Sequence, residues 1–144
     1  MKVELRQKGF TLIEIMVVLV ILGLLAAVVV PRIVGRTDEA RRTTAKMEIR
    51  NIEEALHLFK LDNGFYPTTD QGLEALVEKP TVGQIPNNWR DEGYLPKVPT
   101  DPWGYKYLYL SPGRHGPYDV VSNGGDGEPG GDGNSEDVES WNIE

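Results

Sequence analysis

The chain has 144 residues, with 22 acids against 15 bases for a net charge of −7, and no cysteine. That balance argues against a nucleic-acid partner, which asks for a basic surface facing the phosphates. The missing thiols exclude a disulfide frame, a lipidated cysteine anchor and thiol chemistry.

The first residues are a short charged stretch, Lys2, Arg6 and Lys8 against Glu4, ending at Gly9. Phe10-Thr11-Leu12-Ile13-Glu14 then leads into residues 15–30, which carry no polar side chain. A carboxylate carried into hydrocarbon costs roughly 2.5 to 3.5 kcal/mol or more, so Glu14 needs a partner. Cleavage between Gly9 and Phe10 frees an amine one helical turn away from Glu14, on its own helix or a neighbour's. An ordinary signal peptide also places a positive region before an apolar stretch. Here, however, the run outlasts the usual apolar region, and no A-x-A-like pair precedes Pro31 and Arg32. As a helix, residues 10–30 rise about 31 Å, close to the ~30 Å hydrocarbon core, and predict one transmembrane span. Arg32, Arg36, Arg41 and Arg42 outnumber the positive leader, so charge alone does not orient it.

Removal of residues 1–9 takes away three bases and one acid, leaving 21 acids against 12 bases and a net charge of −9. The remaining length suits one small domain. Past the apolar run, Ala45, Ile49, Ile52, Leu56 and Phe59 recur in steps of four and three, with Met47, Ala55 and Leu58 widening the stripe. This is the period of an amphipathic helix whose apolar face packs on a sheet. Asp62-Asn63-Gly64 supplies the stop, through a residue able to turn left-handed. Pro31 and Gly35 interrupt the pattern and predict a kink or a locally melted turn between residues 28 and 35.

Thr68 and Gln71 stand at capping-box spacing and open a predicted short helix to about Glu78, stopped by Pro80. Residues 81–100 hold Gly83, Pro86, Gly93, Pro96 and Pro99 and read as an irregular loop, with Trp89, Tyr94 and Leu95 as anchors. Asp101-Pro102-Trp103-Gly104 has the residues of a type I turn. It introduces a hairpin with strands over residues 105–110 and 118–122, turned by Ser111-Pro112-Gly113. Arg114 is the last base, and eight acids follow it. Residues 122–137 interleave carboxylates with glycines, which let backbone carbonyls turn inward. Such oxygens suit a hard cation: calcium takes about six to eight of them in flexible geometry, while zinc prefers nitrogen or sulfur. The spacing is not that of an EF-hand.

Two chemical patterns fail on physical grounds. Gly125-x-Gly127-x-x-Gly130 matches a dinucleotide fingerprint as a string, but no helix starts through Pro129-Gly130-Gly131, and Asp126, Glu128 and Asp132 repel a pyrophosphate. His57 and His115 are the only neutral-pH bases, and neither sits in a nucleophile motif.

Lys8-Gly9-Phe10-Thr11-Leu12-Ile13-Glu14 resembles the processing site of type IV pilins and pseudopilins, where a prepilin peptidase cuts after the glycine and methylates the new phenylalanine amine. The stretch from Asp62-Asn63-Gly64-Phe65-Tyr66-Pro67 to Leu76, Asp101-Pro102-Trp103-Gly104, and Pro112-Gly113-Arg114-His115-Gly116-Pro117-Tyr118-Asp119 follow in order. Together they resemble the major pseudopilin (protein G) family of type II secretion systems.

The resemblance implies an α+β, type IV pilin-like fold: a long N-terminal helix, transmembrane in its first half, packed on a small antiparallel sheet, with a C-terminal calcium-binding loop. It implies a leader over residues 1–9, a transmembrane and filament-core helix over 10–30, and a periplasmic domain over 31–144. Processing falls between Gly9 and Phe10, leaving N-methylphenylalanine at Phe10, and Glu14 serves assembly. The calcium ligands it implies are Asp126 and Asp137, with a backbone carbonyl from Asn123. The implied function is that of the major subunit of a periplasmic filament driving export of folded proteins, with no enzymatic activity. Its implied partners are further copies of itself, minor pseudopilins, the inner-membrane assembly platform, prepilin peptidase and the membrane, but no nucleic acid. The implied location is the inner membrane, single-pass, and the periplasm once assembled. The alternative is a type IV pilus or competence pseudopilin subunit. A pilus subunit usually carries a C-terminal disulfide, and a nucleic-acid-handling competence subunit would want a basic groove.

Overall fold

The computed structural model describes residues 9–143, and of residues 28–36 only the backbone. Residues 1–8 of the expected leader lie outside the described residues. The chain divides into two compact units, Met1–Thr37 and Asp38–Glu144. Helix α1, Leu12–Asn63, runs from the first into the second. It is assigned without a break through Pro31 and Gly35, so the locally melted turn does not occur.

The transmembrane first half of that helix is corrected. Among the described residues no helix is long and apolar enough to cross a membrane. Glu14 stands in the first turn of α1, and a carboxylate there counts against a membrane span. The expected single-pass inner-membrane location, which rested on that span, falls with it.

In the second unit the helical stripe holds residue by residue. Ala45, Ile49, Ile52, Leu56 and Phe59 are fully or almost fully buried, and Ala55 joins them, whereas Met47 and Leu58 face outward. Steps of four and three keep the five on one face, and burial of each large member contributes about 1.5 to 3 kcal/mol. Gly64 ends the helix with φ +85°, and its N–H donates to the Lys60 carbonyl at 2.7 Å. Asn63 Nδ2 donates to the Phe59 carbonyl, and Asn88 Nδ2 to that of Asp62, so the last helical carbonyls are satisfied by side chains.

The capping box forms as expected, with Thr68 N–H donating to Gln71 Oε1 at 3.0 Å and Gln71 N–H to Thr68 Oγ1 at 3.3 Å. The helix after it does not. Gly72 takes φ +63°, which ends any right-handed helix, and only a 3-10 turn, Leu73–Leu76, follows. Gln71 turns its amide under the next loop, donating to the carbonyls of Val82 and Gln84 at 2.7 and 2.9 Å. The loop over residues 81–100 is pinned by its aromatic anchors. Trp89 Nε1 donates to the Ala75 carbonyl, and the Tyr94 and Leu95 N–H groups both reach that of Leu76.

Asp101 organises the next turn. Its carbonyl accepts from Gly104 N–H at 2.9 Å, and its Oδ1 accepts from the N–H groups of Trp103 and Tyr105. Strands β1, Leu108–Leu110, and β2, Asp119–Ser122, then pair antiparallel with Tyr109 opposite Val120. A two-residue strand, β3 at Val138–Glu139, which sequence reasoning missed, adds to the other edge of β2 with Ser122 opposite Val138. The three-stranded antiparallel sheet thus has the order β1-β2-β3. Val120, Tyr118, Tyr107 and Val138 share one core with the α1 stripe, and the α+β class stands with this smaller helical content.

Candidate functional site

Two regions carry the sequence-derived functional residues. In the first, Gly9 and Phe10 precede the helix in non-helical backbone, and the Phe10 side chain is 84% exposed. Thr11 is the cap. Its N–H donates to Glu14 Oε2 at 2.8 Å, its hydroxyl reaches the same oxygen at 3.0 Å, and Glu14 N–H returns a bond to Thr11 Oγ1 at 3.3 Å. Sequence reasoning found this pattern at Thr68 and Gln71 but missed it here, although Thr11-Leu12-Ile13-Glu14 has the same spacing. The consequence is specific. Glu14 is already satisfied within its own chain, so a Phe10 amine has to compete with Thr11 rather than fill an empty place. Beyond it, the side chains of Leu12, Ile13, Met16, Leu19, Val20, Leu24 and Leu25 are all exposed.

The second region is the acidic loop after β2. Asp126 Oδ1 accepts from Glu128 N–H at 3.1 Å, and Asp137 Oδ2 accepts from Gly130 N–H at 2.9 Å, so both aspartates brace loop backbone. Asn123 Nδ2 donates to the Gly127 carbonyl, and Gly125 N–H to that of Asn134. Two buried oxygens are left without a partner: Asn123 Oδ1 and Asp137 Oδ1. Buried acceptors are nearly always paired, so two orphans in one loop require an explanation. Sequence reasoning had assigned the backbone carbonyl of Asn123, whereas the orphan is its side-chain oxygen.

The metal-binding expectation at Asp126 and Asp137 finds no cluster of ligands, however. Among the described residues no three His, Cys, Asp or Glu side chains come together to hold a metal ion. Three of the loop's acids are engaged elsewhere. Glu136 pairs with Arg42 Nη2 on α1 at 3.0 Å, and the Asp126 and Asp137 carboxylates each take a backbone N–H.

The two histidines occupy structural positions. His57 has Nδ1 3.0 Å from the Tyr66 hydroxyl and Nε2 3.2 Å from the Tyr118 hydroxyl, which joins α1 to the start of β2. His115 stacks on Trp141 with ring centroids 3.7 Å apart, and its Nδ1 lies 3.2 Å from Asp119 Oδ2. Burial pushes the Asp119 carboxyl up, but the N–H groups of Arg114 and His115 and the His115 ring outweigh that and hold it below the usual carboxylate range.

Comparison with known proteins agrees with this arrangement. Residues 32–141 match the family described as type II secretion system (T2SS), protein G, and residues 5–30 match the prokaryotic N-terminal methylation motif. The type II secretion system core protein G of Pseudomonas aeruginosa is 57% identical over 136 residues, covering 94% of this chain and 96% of that protein. The protein of the same name from Vibrio cholerae is 52% identical over 144 residues, or 100% of this chain and 98% of its own length. The crystal structure of the major pseudopilin from the type 2 secretion system of enterohaemorrhagic Escherichia coli superposes with a TM-score of 0.69 at 41% identity, over 76% of this chain and 90% of that one. The chain belongs to the type II secretion system protein G family, the major pseudopilins, and is a structural subunit of the secretion pseudopilus rather than an enzyme.

Proposed function

We propose that this chain is cleaved between Gly9 and Phe10, methylated at the Phe10 amine, and polymerised with copies of itself through the first turns of α1. The observation that carries this is the uncovered apolar side of that helix, where Phe10, Leu12 and Ile13 are 84%, 78% and 70% exposed. A contiguous apolar surface of this kind belongs against a partner, and neighbouring helices of the same sequence supply one of matching length. Glu14 is the residue through which joining is controlled. Its carboxylate exchanges the Thr11 donors for the charged Phe10 amine of a neighbouring subunit, a stronger charge-assisted bond. Minor pseudopilins, the assembly platform of the secretion system and prepilin peptidase are the further partners.

The test is electron microscopy of assembled filaments together with mass spectrometry of their amino terminus. Filaments whose subunits start at N-methylated Phe10 are expected, and an intact Met1 would sink the processing step. Glu14→Ala is expected to be processed yet fail to polymerise. Thr11→Val, which removes the hydroxyl but keeps the carboxylate, separates helix capping from charge pairing: it should still polymerise. Normal filaments from Glu14→Ala, or equal failure of both variants, would refute the assigned role of Glu14.

The acidic loop is read as the seat of one calcium ion. Asn123 Oδ1 and Asp137 Oδ1 are buried acceptors without donors, and calcium accepts carbonyl and carboxylate oxygens alike. Asp126 and loop carbonyls would complete the set. The ion's contribution is structural, adding to the hold on a loop that has too little apolar surface to close by packing alone.

A further inference from the structure

One side chain of α1 reaches into the acidic loop. Arg42 Nη1 donates to the main-chain carbonyl of Gly133 at 3.0 Å and to that of Glu136 at 2.9 Å, and Nη2 lies 3.0 Å from the Glu136 carboxylate. Three oxygens, two of them backbone, are thus gathered round one guanidinium from 91 and 94 residues away in the chain. The charge pattern makes this contact matter. After Arg114 the chain has eight acids and no base, so the loop contains no counter-ion of its own. The Glu136 side chain is 56% exposed and its ion pair is screened by water, and the two carbonyl bonds add to that hold. A planar fork fits two carbonyls at once, which an ammonium does poorly.

We propose that Arg42 is the built-in cation of the loop: it keeps residues 124–137 folded against α1 without any metal. Arg42 also withdraws Glu136 from the oxygens offered to calcium, a second claim that rests on the calcium reading above. The loop therefore has two cation positions, one filled permanently from α1 and one at the orphaned oxygens of Asn123 and Asp137. Arg42 acts as a positioning residue for the second.

The experiment is residue-resolved amide hydrogen exchange on the full chain, kept in solution by a mild detergent, first in chelator and then in calcium. In chelator, Arg42→Gln should speed exchange at Gly125 and Ser135, whose N–H groups bond within the loop, by about tenfold or more, the scale of one charge-assisted hydrogen bond. Ile52 and Leu56 in the α1 stripe should keep their wild-type rates. Arg42→Lys should fall between wild type and Arg42→Gln, and Glu136→Gln should have the smaller effect because both carbonyl bonds remain. Wild-type loop rates in Arg42→Gln would overturn the proposal, as would an equal rise at Ile52 and Leu56. Calcium separates the two claims. Recovery of loop protection in Arg42→Gln supports the second position, whereas no calcium effect in wild type or variant removes the calcium reading and leaves the Arg42 tether intact.

Discussion

Phe59→Ala tests the register of the α1 stripe with the largest expected signal. Phe59 is fully buried, its ring stands edge-on to Phe65 at 5.7 Å between centroids, and Tyr94 tilts against it at 5.3 Å. Removing the ring forfeits its transfer energy, opens a cavity in the core, and breaks both aromatic pairs. Substitutions of this type cost about 3 to 5 kcal/mol, and the two pairs place the expected loss in the upper half of that range. Against a total of roughly 5 to 15 kcal/mol for a domain, that is a large fraction. The control is Leu61→Ala, two residues further along the same helix, where the side chain is 79% exposed and the expected change lies within about 0.5 kcal/mol. Urea titration of the full chain, followed by tyrosine and tryptophan fluorescence, measures both. Equal losses at Phe59 and Leu61, or a Phe59 loss under about 1 kcal/mol, would show that the helix packs on another face.

Two further variants address the loop and the β1–β2 turn. For the wild type, calcium at a hundred times its dissociation constant should raise stability by about 2.7 kcal/mol over chelator, and Asp137→Ala should abolish that difference. Thermal unfolding in calcium, in magnesium and in chelator measures it, magnesium should substitute poorly, and identical wild-type curves in calcium and chelator would refute the calcium reading. Asp119 is depressed in the folded state, so its contribution is present above the unfolded value of about 3.9 and is lost as pH falls through the lower folded value. Asp119→Asn should therefore destabilise the chain near neutral pH and much less in acid. An equal loss at both pH values by urea titration would contradict the assignment.

How much of this was legible in the sequence depends on how local each feature is. The α1 stripe was readable because a helix writes its buried face into the spacing of Ala45, Ile49, Ile52, Leu56 and Phe59, and each of these is buried. The Asp101 turn and the β1–β2 hairpin were readable from turn residues. Strand β3 was not, since Val138–Glu139 is too short to show alternation, and its pairing with β2 is decided by the loop before it. The helix expected after Thr68 failed at a single residue: Gly72 at positive φ leaves a 3-10 turn, and one glycine in a helical pattern does not announce its torsion angle. At the amino terminus, the apolar run suggested a span that the described residues do not provide. The same reading treated Glu14 as an unpaired charge when Thr11, three residues before it, supplies the donors. Arg42 had no local signal at all, because its partners lie at Gly133 and Glu136.

As a subunit of the secretion pseudopilus, the chain is one on which type II export should depend. The most direct measurement is the extracellular protein profile of the bacterium with the chain deleted, then restored as wild type or as Glu14→Ala. Proteins normally exported in folded form should accumulate inside the deletion strain, return to the medium with the wild-type chain, and remain inside with Glu14→Ala. Unchanged export in the deletion strain would contradict the central claim.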